Sequence, residues 1–307
     1  MRSRGWSCES TAINAEERPT SNECKYGGKT KRNGNCSKPG ADGLPVQCVG
    51  GWARDKNFFV FRYIEATRAV RLKYLPPKVG GAAFIDLFAG PGMKRLQKTG
   101  VILDGTPLLA AKHTDAPFTR IVACDIDAEN VAALTERLGR FSSETRVVCG
   151  DCNGKIDEIV ASVPPYGLNL ALVDPFGLKD LKFQTLQRLA EFKRMDLIVH
   201  FPTGDIKRNL GQYRTTERWL DEALGTRRWR ERQRDKRDVA ALVEVFSEQL
   251  QLLGYGESDV KHHPSVRNDQ GVPLYYLVYA SKHDRGNRIW KSLLKQLPTG
   301  QKVLEFD

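Results

Sequence analysis

The chain has 307 residues, is 40% apolar and carries a formal net charge of +11. That length and apolar content suffice for one large core, or one core with a small module, and exclude a chain that is disordered throughout. No apolar run approaches the ~20 residues needed to span a bilayer, and the opening residues Met1 to Cys8 lack the apolar centre of a secretion signal. The expectation is a cytoplasmic protein without a membrane partner. The positive field of such a chain attracts polyanions, so composition leaves open both a nucleic-acid partner and a merely soluble basic surface.

Residues 1 to 41 show no apolar period and are punctuated by Gly27, Gly28, Gly34, Pro39 and Gly40, which predicts an irregular, disordered tail. Cys24, Cys36 and Cys48 recur with eleven residues between neighbours. They include no close pair, and no histidine accompanies them, so metal binding is the lesser reading and a thiol-bearing tail the preferred one. No metal ligand is assigned. Seven cysteines, an odd number scattered over a long chain, favour reduced thiols over a disulfide framework.

Asp42-Gly-Leu-Pro45 is turn chemistry. Phe58, Phe61, Ile64, Arg68 and Leu72 fall near helical spacing and predict a helix from about Asp55 to Leu75, ended by Pro76 and Pro77. Trp52 and Lys56 stand at its entrance, either as a core tryptophan with a solvated lysine or as a binding pair. Phe84 to Phe88 reads as a buried strand that runs into the loop Gly90-Pro91-Gly92. Glycines there permit positive φ and close approach of a ligand. After Gly105, Thr106 suits an N-cap and Pro107 the first helical position.

Further strands follow at Arg120–Cys124, Arg146–Cys149, Leu168–Val173 and Asp196–Pro202, with helices between them. This alternation predicts a parallel sheet covered on both faces. Beyond it, Arg227, Arg228, Arg230, Arg232, Arg234, Lys236 and Arg237 crowd one span, with Trp219 and Trp229 interleaved. Such a helix either tracks phosphates while a ring stacks on a base, or is a solvated face with its tryptophans turned inward. Val239 to Leu253 is an amphipathic helix stopped by Gly254, and Leu274 to Ser281 a last strand.

The strand ends carry the chemistry. In an open α/β sheet, ligands bind beyond the carboxyl ends of the strands. Asp86, Phe88, Gly90 and Gly92 form the first such loop, Asp125 ends the next strand and Asp151 the third. An acid at Asp125 can accept from a ribose diol, and one at Asp151 from the exocyclic amine of adenine. The set points to an adenosine-containing ligand, although Gly90-Pro-Gly92 is not the dinucleotide fingerprint.

These residues resemble class I S-adenosylmethionine-dependent methyltransferases. Phe84 to Gly92 matches their first motif, Asp125 their ribose-binding acid, Asp151 their adenine-side acid, and Asp174-Pro-Phe-Gly177 their fourth motif. More closely, the chain is similar to the three-Cys-motif partner (TcmP) proteins. The similarity lies in Asp42-Gly-Leu-Pro45, Trp52 with Lys56, Ile85-Asp-Leu-Phe-Ala-Gly90, Asp104-Gly-Thr-Pro107, Gly150-Asp151, Val173-Asp-Pro-Phe-Gly177, Phe201-Pro202 and Tyr279-Ala-Ser-Lys-His283. It spans roughly Asp42 to Trp290 and excludes the first forty residues. The three cysteines of that family's name belong to a neighbouring protein. Thr106 stands where the family commonly has serine.

The resemblance implies a Rossmann-like sheet flanked by helices over residues 42–307, with a basic helical insertion at about 205–237 after the fifth strand. It implies S-adenosylmethionine as cofactor and methyl transfer, with the exocyclic amine of a nucleic-acid base as the favoured acceptor. Asp174 and the Pro175 carbonyl would accept the amine's two N–H groups and Phe176 would stack on the base. Amine methyltransferases usually carry Pro-Pro-Tyr or Pro-Pro-Phe at this point. Asp-Pro-Phe-Gly departs from that and resembles the tRNA guanine dimethyltransferases. Arg227, Arg228, Arg230, Arg232 and Arg234 would contact phosphates. Two rivals remain: a cofactor-binding partner subunit of a three-Cys-motif protein without catalysis of its own, and a protein or peptide methyltransferase.

Overall fold

The computed structural model describes residues 24, 26–76, 79–204, 206, 216–232, 239–256, 265–267 and 273–295. The chain begins with β1 (Gln47–Val49), α1 (Trp52–Ala66), α2 (Arg68–Leu72), β2 (Ala82–Asp86), β3 (Met93–Leu96), β4 (Ile102–Asp104) and α3 (Thr106–Ala111). It continues through β5 (Arg120–Asp125), α4 (Ala128–Leu138), β6 (Glu144–Cys149), α5 (Cys152–Ala161), β7 (Leu168–Val173), α6 (Phe183–Ala190) and β8 (Met195–Phe201). The last part holds α7 (Thr216–Leu224), α8 (Trp229–Arg232), α9 (Val239–Leu252), β9 (Ser265–Arg267), β10 (Pro273–Ala280) and α10 (Asp284–Leu294).

The main sheet runs β6-β5-β2-β7-β8-β10-β9. Its first five strands are parallel, and β10 lies antiparallel between β8 and β9. The fold is Rossmann-like, with the strand order of class I methyltransferases. After β2 the chain moves outward to β5 and β6, then crosses back to β7 on the other side of β2. That reversal opens a crevice at the carboxyl ends of β2 and β7.

All five residues of β2 are buried, as a central strand covered on both faces must be. Alternation divides them: Ala83 and Ile85 join the core on one face, Ala82 and Phe84 the core on the other. Helix α1 and α10 cover the second face, where Tyr63 and Trp290 pack with Phe59 and Tyr279. Helix α9 covers the first face with Leu242, Val243, Phe246 and Leu250, and Gly254 ends it at φ 85°. Within the insertion, Leu220, Ala223, Leu224 and Trp229 belong to that same first core. No helix among the described residues is long and apolar enough to cross a membrane.

Four sequence expectations change. The helix expected over Asp55 to Leu75 is two, because Thr67 Oγ1 turns back onto the carbonyls of Tyr63 and Ile64 at 2.8 and 3.1 Å. Thr106 is not an N-cap. Gly105 holds that position and donates its N–H to the Gly92 carbonyl at 2.7 Å, while the Thr106 hydroxyl reaches Asp86. A Cβ on Gly105 would lie 2.8 Å from that carbonyl oxygen, so only glycine allows the approach. The tail expected to be disordered is built into the fold over residues 24 and 26–41, with Asn35, Cys24 and Cys36 buried; residues 1–23 and 25 lie outside the described residues. Cys36 and Cys48 are disulfide-bonded, as is Cys149. Spacing along the chain carries no information on which sulfurs meet in space.

The turn Asp42-Gly-Leu-Pro45 is held by Arg137 of α4, itself 2% exposed. The guanidinium donates to both Asp42 carboxylate oxygens, at 2.8 and 2.9 Å, and to the carbonyls of Pro45 and Pro91. One side chain thus ties this turn to the loop after β2. The Arg137 hydrogen bonds hold the Asp42 carboxyl below its ordinary value. Stability from this pair is therefore full above the unfolded carboxylate value and lost as pH falls through the depressed one. Asp42→Asn should cost about 1.5–3 kcal/mol at neutral pH, the range for a charge-assisted hydrogen bond. It should also flatten the acid limb of denaturant-derived stability against pH, and an unchanged acid limb would remove the pair from that role.

Candidate active site

The loop after β2 is pinned from both sides. Asp86, 1% exposed, accepts the Thr106 hydroxyl and, at 3.1 Å, the Phe88 N–H. Gly90 and Gly92 adopt φ of 62° and 89°, in the left-handed region that favours glycine. The Gly90 N–H donates to Asp125 Oδ2 at 2.8 Å. Asp125 Oδ1 accepts the Asp127 N–H at 2.9 Å and Asn130 Nδ2 at 3.0 Å. A carboxylate offers about four acceptor sites, so Asp125 keeps one, on the oxygen nearer the glycine loop. Burial raises its pKa and these donors oppose the rise. Asp151 is exposed and N-caps α5, with Oδ1 taking both the Asn153 N–H and its side-chain amide at 3.0 and 2.8 Å.

The N-terminal segment lies over these strand ends. Asn33 Nδ2 donates to Asp127 Oδ2 at 3.0 Å, Asn35 Nδ2 to Asn130 Oδ1 at 2.7 Å, and Lys31 pairs with Glu129 at 3.2 Å. A Cβ on Gly90 would stand 3.5 Å from Gln47 Oε1. This roof was invisible in the sequence, because polar asparagines in a glycine-rich stretch read as loop.

Beyond β7 lies a second group. Asp174 pairs with Lys56 through Oδ2 and with His200 Nδ1 through Oδ1 at 3.1 Å. His200 Nδ1 also lies 3.3 Å from the Pro175 carbonyl oxygen. Trp52 stacks parallel to the His200 ring, 5° between planes, and Tyr275 meets that ring edge-on at 4.2 Å. The Tyr275 hydroxyl donates to the Trp52 carbonyl at 3.0 Å. Trp52 and Lys56, one helical turn apart, therefore face the same site. Phe176 is 56% exposed beside them.

Lys56 and Lys94 are 1% and 6% exposed, and both serve this buried cluster of opposed charges. Asp174 sits far below the ordinary carboxylate range, because Lys56 and His200 outweigh the desolvation that would raise it. Burial pushes Asp86 up to about 6. Burial, then the charge of Lys56, pushes Lys94 down to about 7.

The structure brings Asp86, Phe88, Gly90, Gly92 and Asp125 into one loop cluster, with Asp174, Pro175 and Phe176 at the end of β7, the strand beside β2. The acceptors of Asp174 and Pro175 already have protein donors, Lys56 and His200. The arginine segment is a separate matter. Arg227 and Arg230 reach Asp221 at 3.4 and 2.7 Å, and Arg232 reaches Glu248 at 2.9 Å. Trp229 is 6% exposed, under the Arg230 guanidinium, and donates to Asp221, so it is not placed to stack on a base. Arg234, Lys236 and Arg237 lie outside the described residues. Sequence reasoning missed Lys94, His200 and Tyr275. A single histidine in the otherwise apolar strand before Pro202 was the available signal for one of them.

No family model matches the chain, and no curated protein matches it. Solved structures do resemble it. Trm1 from Pyrococcus horikoshii, solved with S-adenosyl-L-methionine, is 11% identical with a TM-score of 0.42, and the likeness covers 84% of this chain and 61% of that one. Cofactor-bound Rv0187 from MTB is 11% identical with a TM-score of 0.41, covering 74% and 80%. TYW2 from M. jannaschii, in complex with AdoMet, is 12% identical with a TM-score of 0.34, covering 71% and 75%. At such values the likeness says nothing about substrate. Strand order and loop chemistry carry the fold.

Proposed function

We propose that the chain is an S-adenosylmethionine-dependent methyltransferase, acting on the exocyclic amine of a nucleic-acid base. The observation that carries this reading is the placement of two sites at the switch point. One is a positive-φ glycine loop anchored to Asp125, and the other is a part-buried acid, Asp174, at the end of the neighbouring strand. The cofactor, when bound, supplies the methyl electrophile. Asp125 and the Gly90 loop would hold it, with the last free acceptor of Asp125 available to a ribose hydroxyl. Phe176 offers an exposed ring for a planar base, and the oxygens of Asp174 and Pro175, each with a lone pair beyond the one that Lys56 or His200 engages, would orient an amine. The motif set from Asp42 to Trp290 supports a place beside the TcmP proteins.

The engagement of both Asp174 oxygens by Lys56 and His200 favours a second reading, a cofactor-binding subunit that needs a three-Cys-motif partner. The test is transfer of labelled methyl groups to bulk tRNA, DNA and protein, by the chain alone and with that neighbour. Label on nucleic acid from the chain alone supports the first reading. Label only with the neighbour supports the second, and label on protein alone overturns the substrate class.

A nucleic-acid substrate also predicts phosphate contacts from the exposed arginines. Arg227 and Arg228 are the useful pair, because Arg227 is 85% exposed and meets Asp221 only at 3.4 Å, whereas Arg230 and Arg232 pair with Asp221 and Glu248 at 2.7 and 2.9 Å. Arg227→Gln with Arg228→Gln should lower the salt slope of tRNA binding by roughly 0.7–0.9 per contact and weaken binding independently of base sequence. An unchanged slope removes this segment from the interface.

A further inference from the structure

Cys24, Cys36 and Cys48 place their sulfurs within 4.8 Å of one another, in the segment that roofs the candidate active site. Cys24 and Cys36 are 1% and 2% exposed. Cys36 and Cys48 are disulfide-bonded while Cys24 is a thiol. A structural disulfide needs two sulfurs and leaves the third unexplained.

The surrounding backbone is shaped to sulfur. Cys24 bridges Gly28, and Thr30 bridges Cys36, which makes a tight knuckle. The Gly27 N–H points at Cys24 Sγ, 3.0 Å away. A Cβ on Gly27 would lie 2.6 Å from Cys36 Sγ and 2.8 Å from Cys24 Sγ, so the turn closes on both sulfurs only because it is glycine. Among the described residues the two other buried thiols, Cys124 and Cys152, lie outside this cluster, and burial pushes both up and makes them inert.

We propose that Cys24, Cys36 and Cys48 form a three-thiolate site for a thiophilic divalent cation of the zinc class, which alternates with the Cys36–Cys48 disulfide. Zinc–sulfur bonds of about 2.3 Å in a tetrahedron set sulfurs about 3.8 Å apart, within the span these three occupy. Reduction of the disulfide yields two thiols; a dithiol supplies both electrons and both protons and becomes a disulfide, whereas a phosphine supplies the electrons, water the protons, and the phosphine leaves as its oxide. The three thiols then bind the cation and release three protons. An azo oxidant such as diamide takes two electrons from the Cys36 and Cys48 thiolates and two protons from water to become its hydrazine, which re-forms the disulfide and expels the metal. The site would fasten the knuckle to β1, and with it Gln47 and the Asn33 and Asn35 contacts to the β5–α4 turn.

The test uses the full chain reduced with a phosphine, zinc added with a chromophoric competing chelator, and elemental analysis after desalting. About one zinc per chain is expected, displaced when diamide restores the disulfide. Cys24→Ser leaves the Cys36–Cys48 pair intact, so circular dichroism of its oxidised form checks the fold. Once reduced, it should bind zinc at least about 100-fold more weakly than the wild type. Cys152→Ser should bind like the wild type. A reduced wild type that takes up no stoichiometric zinc overturns the proposal, as does a folded Cys24→Ser chain with undiminished zinc affinity. Neither readout depends on methyl transfer.

Discussion

Asp125→Asn should weaken S-adenosylmethionine binding by about 30- to 100-fold, and Gly90→Val should remove it from calorimetric detection. The three groups facing the Asp125 carboxylate, Gly90 N–H, Asp127 N–H and Asn130 Nδ2, are all donors. An amide in place of the carboxylate turns one acceptor into a donor, and in either orientation it meets a donor. An unmet buried donor costs about 1–3 kcal/mol, and each 1.4 kcal/mol or so is a tenfold change in affinity. Because Asp125 holds the glycine loop as well as keeping one free acceptor, part of that loss is loop geometry. Gly90 is the sharper probe. Its φ of 62° suits glycine, and a Cβ there would meet nothing in the protein nearer than Gln47 at 3.5 Å. A β-branched residue is strained at that φ by about 1–3 kcal/mol and fills the space left for the ligand. Wild-type binding with unchanged Gly90→Val binding would place the cofactor elsewhere. No binding to the wild type, alone or with its partner, would overturn the functional reading.

Asp174→Ala should destabilise the protein by about 3–5 kcal/mol and reduce methyl transfer by about 100- to 10,000-fold. Lys56 has a side chain only 2% exposed and pairs with Asp174. Removing the acid leaves a buried, unpaired ammonium, which is the costly half of a buried ion pair. Replacing both, as Lys56→Met with Asp174→Leu, should recover much of the stability without restoring activity, because apolar side chains fill the volume but orient no amine. That split separates a positioning role from a purely structural one. The pH profile gives a further check. The folded-state pKa of Asp174 is depressed by Lys56 and His200. Its contribution to stability is therefore present above the unfolded value of about 3.9 and lost as pH falls through the depressed one. Asp174→Ala should lack that acid-side loss. Denaturant unfolding across pH, with a stability unchanged within about 0.5 kcal/mol at neutral pH, would sink the ion-pair account.

Much of this architecture was legible in the linear chain. Apolar runs such as Phe84-Ile85 and Leu170–Val173, each followed by an acid or a glycine turn, announce parallel strands, since a strand buried on both faces must be apolar throughout. The acids Asp86, Asp125 and Asp174 mark the carboxyl ends of β2, β5 and β7, where each carboxylate is tolerated because protein donors meet it. The register of β9 and β10 at the far edge, by contrast, has no such signature, and α10 was not read at all. Arginines 227 to 232 looked like one basic helix, yet Asp221 and Glu248, on other helices, take up three of them. Charge pairing across helices has no periodicity to read.

The remaining site chemistry depended on folding. Lys56, Lys94, His200 and Tyr275 come from four separate elements, and their convergence on Asp174 is a matter of packing and burial. The displaced proton affinities of Asp86 and Lys94 follow from that burial, since removing water penalises whichever form is charged. The cysteine knuckle belongs here as well. Eleven-residue gaps excluded a close-pair zinc motif, but a backbone turn at Gly27 and the pairing of Cys36 with Val46 fold those gaps away and bring three sulfurs together. Local sequence sets strands, turns and the polarity of their ends through short-range sterics and hydrophobic period. Which distant side chains share one desolvated volume is settled only when the whole chain has packed.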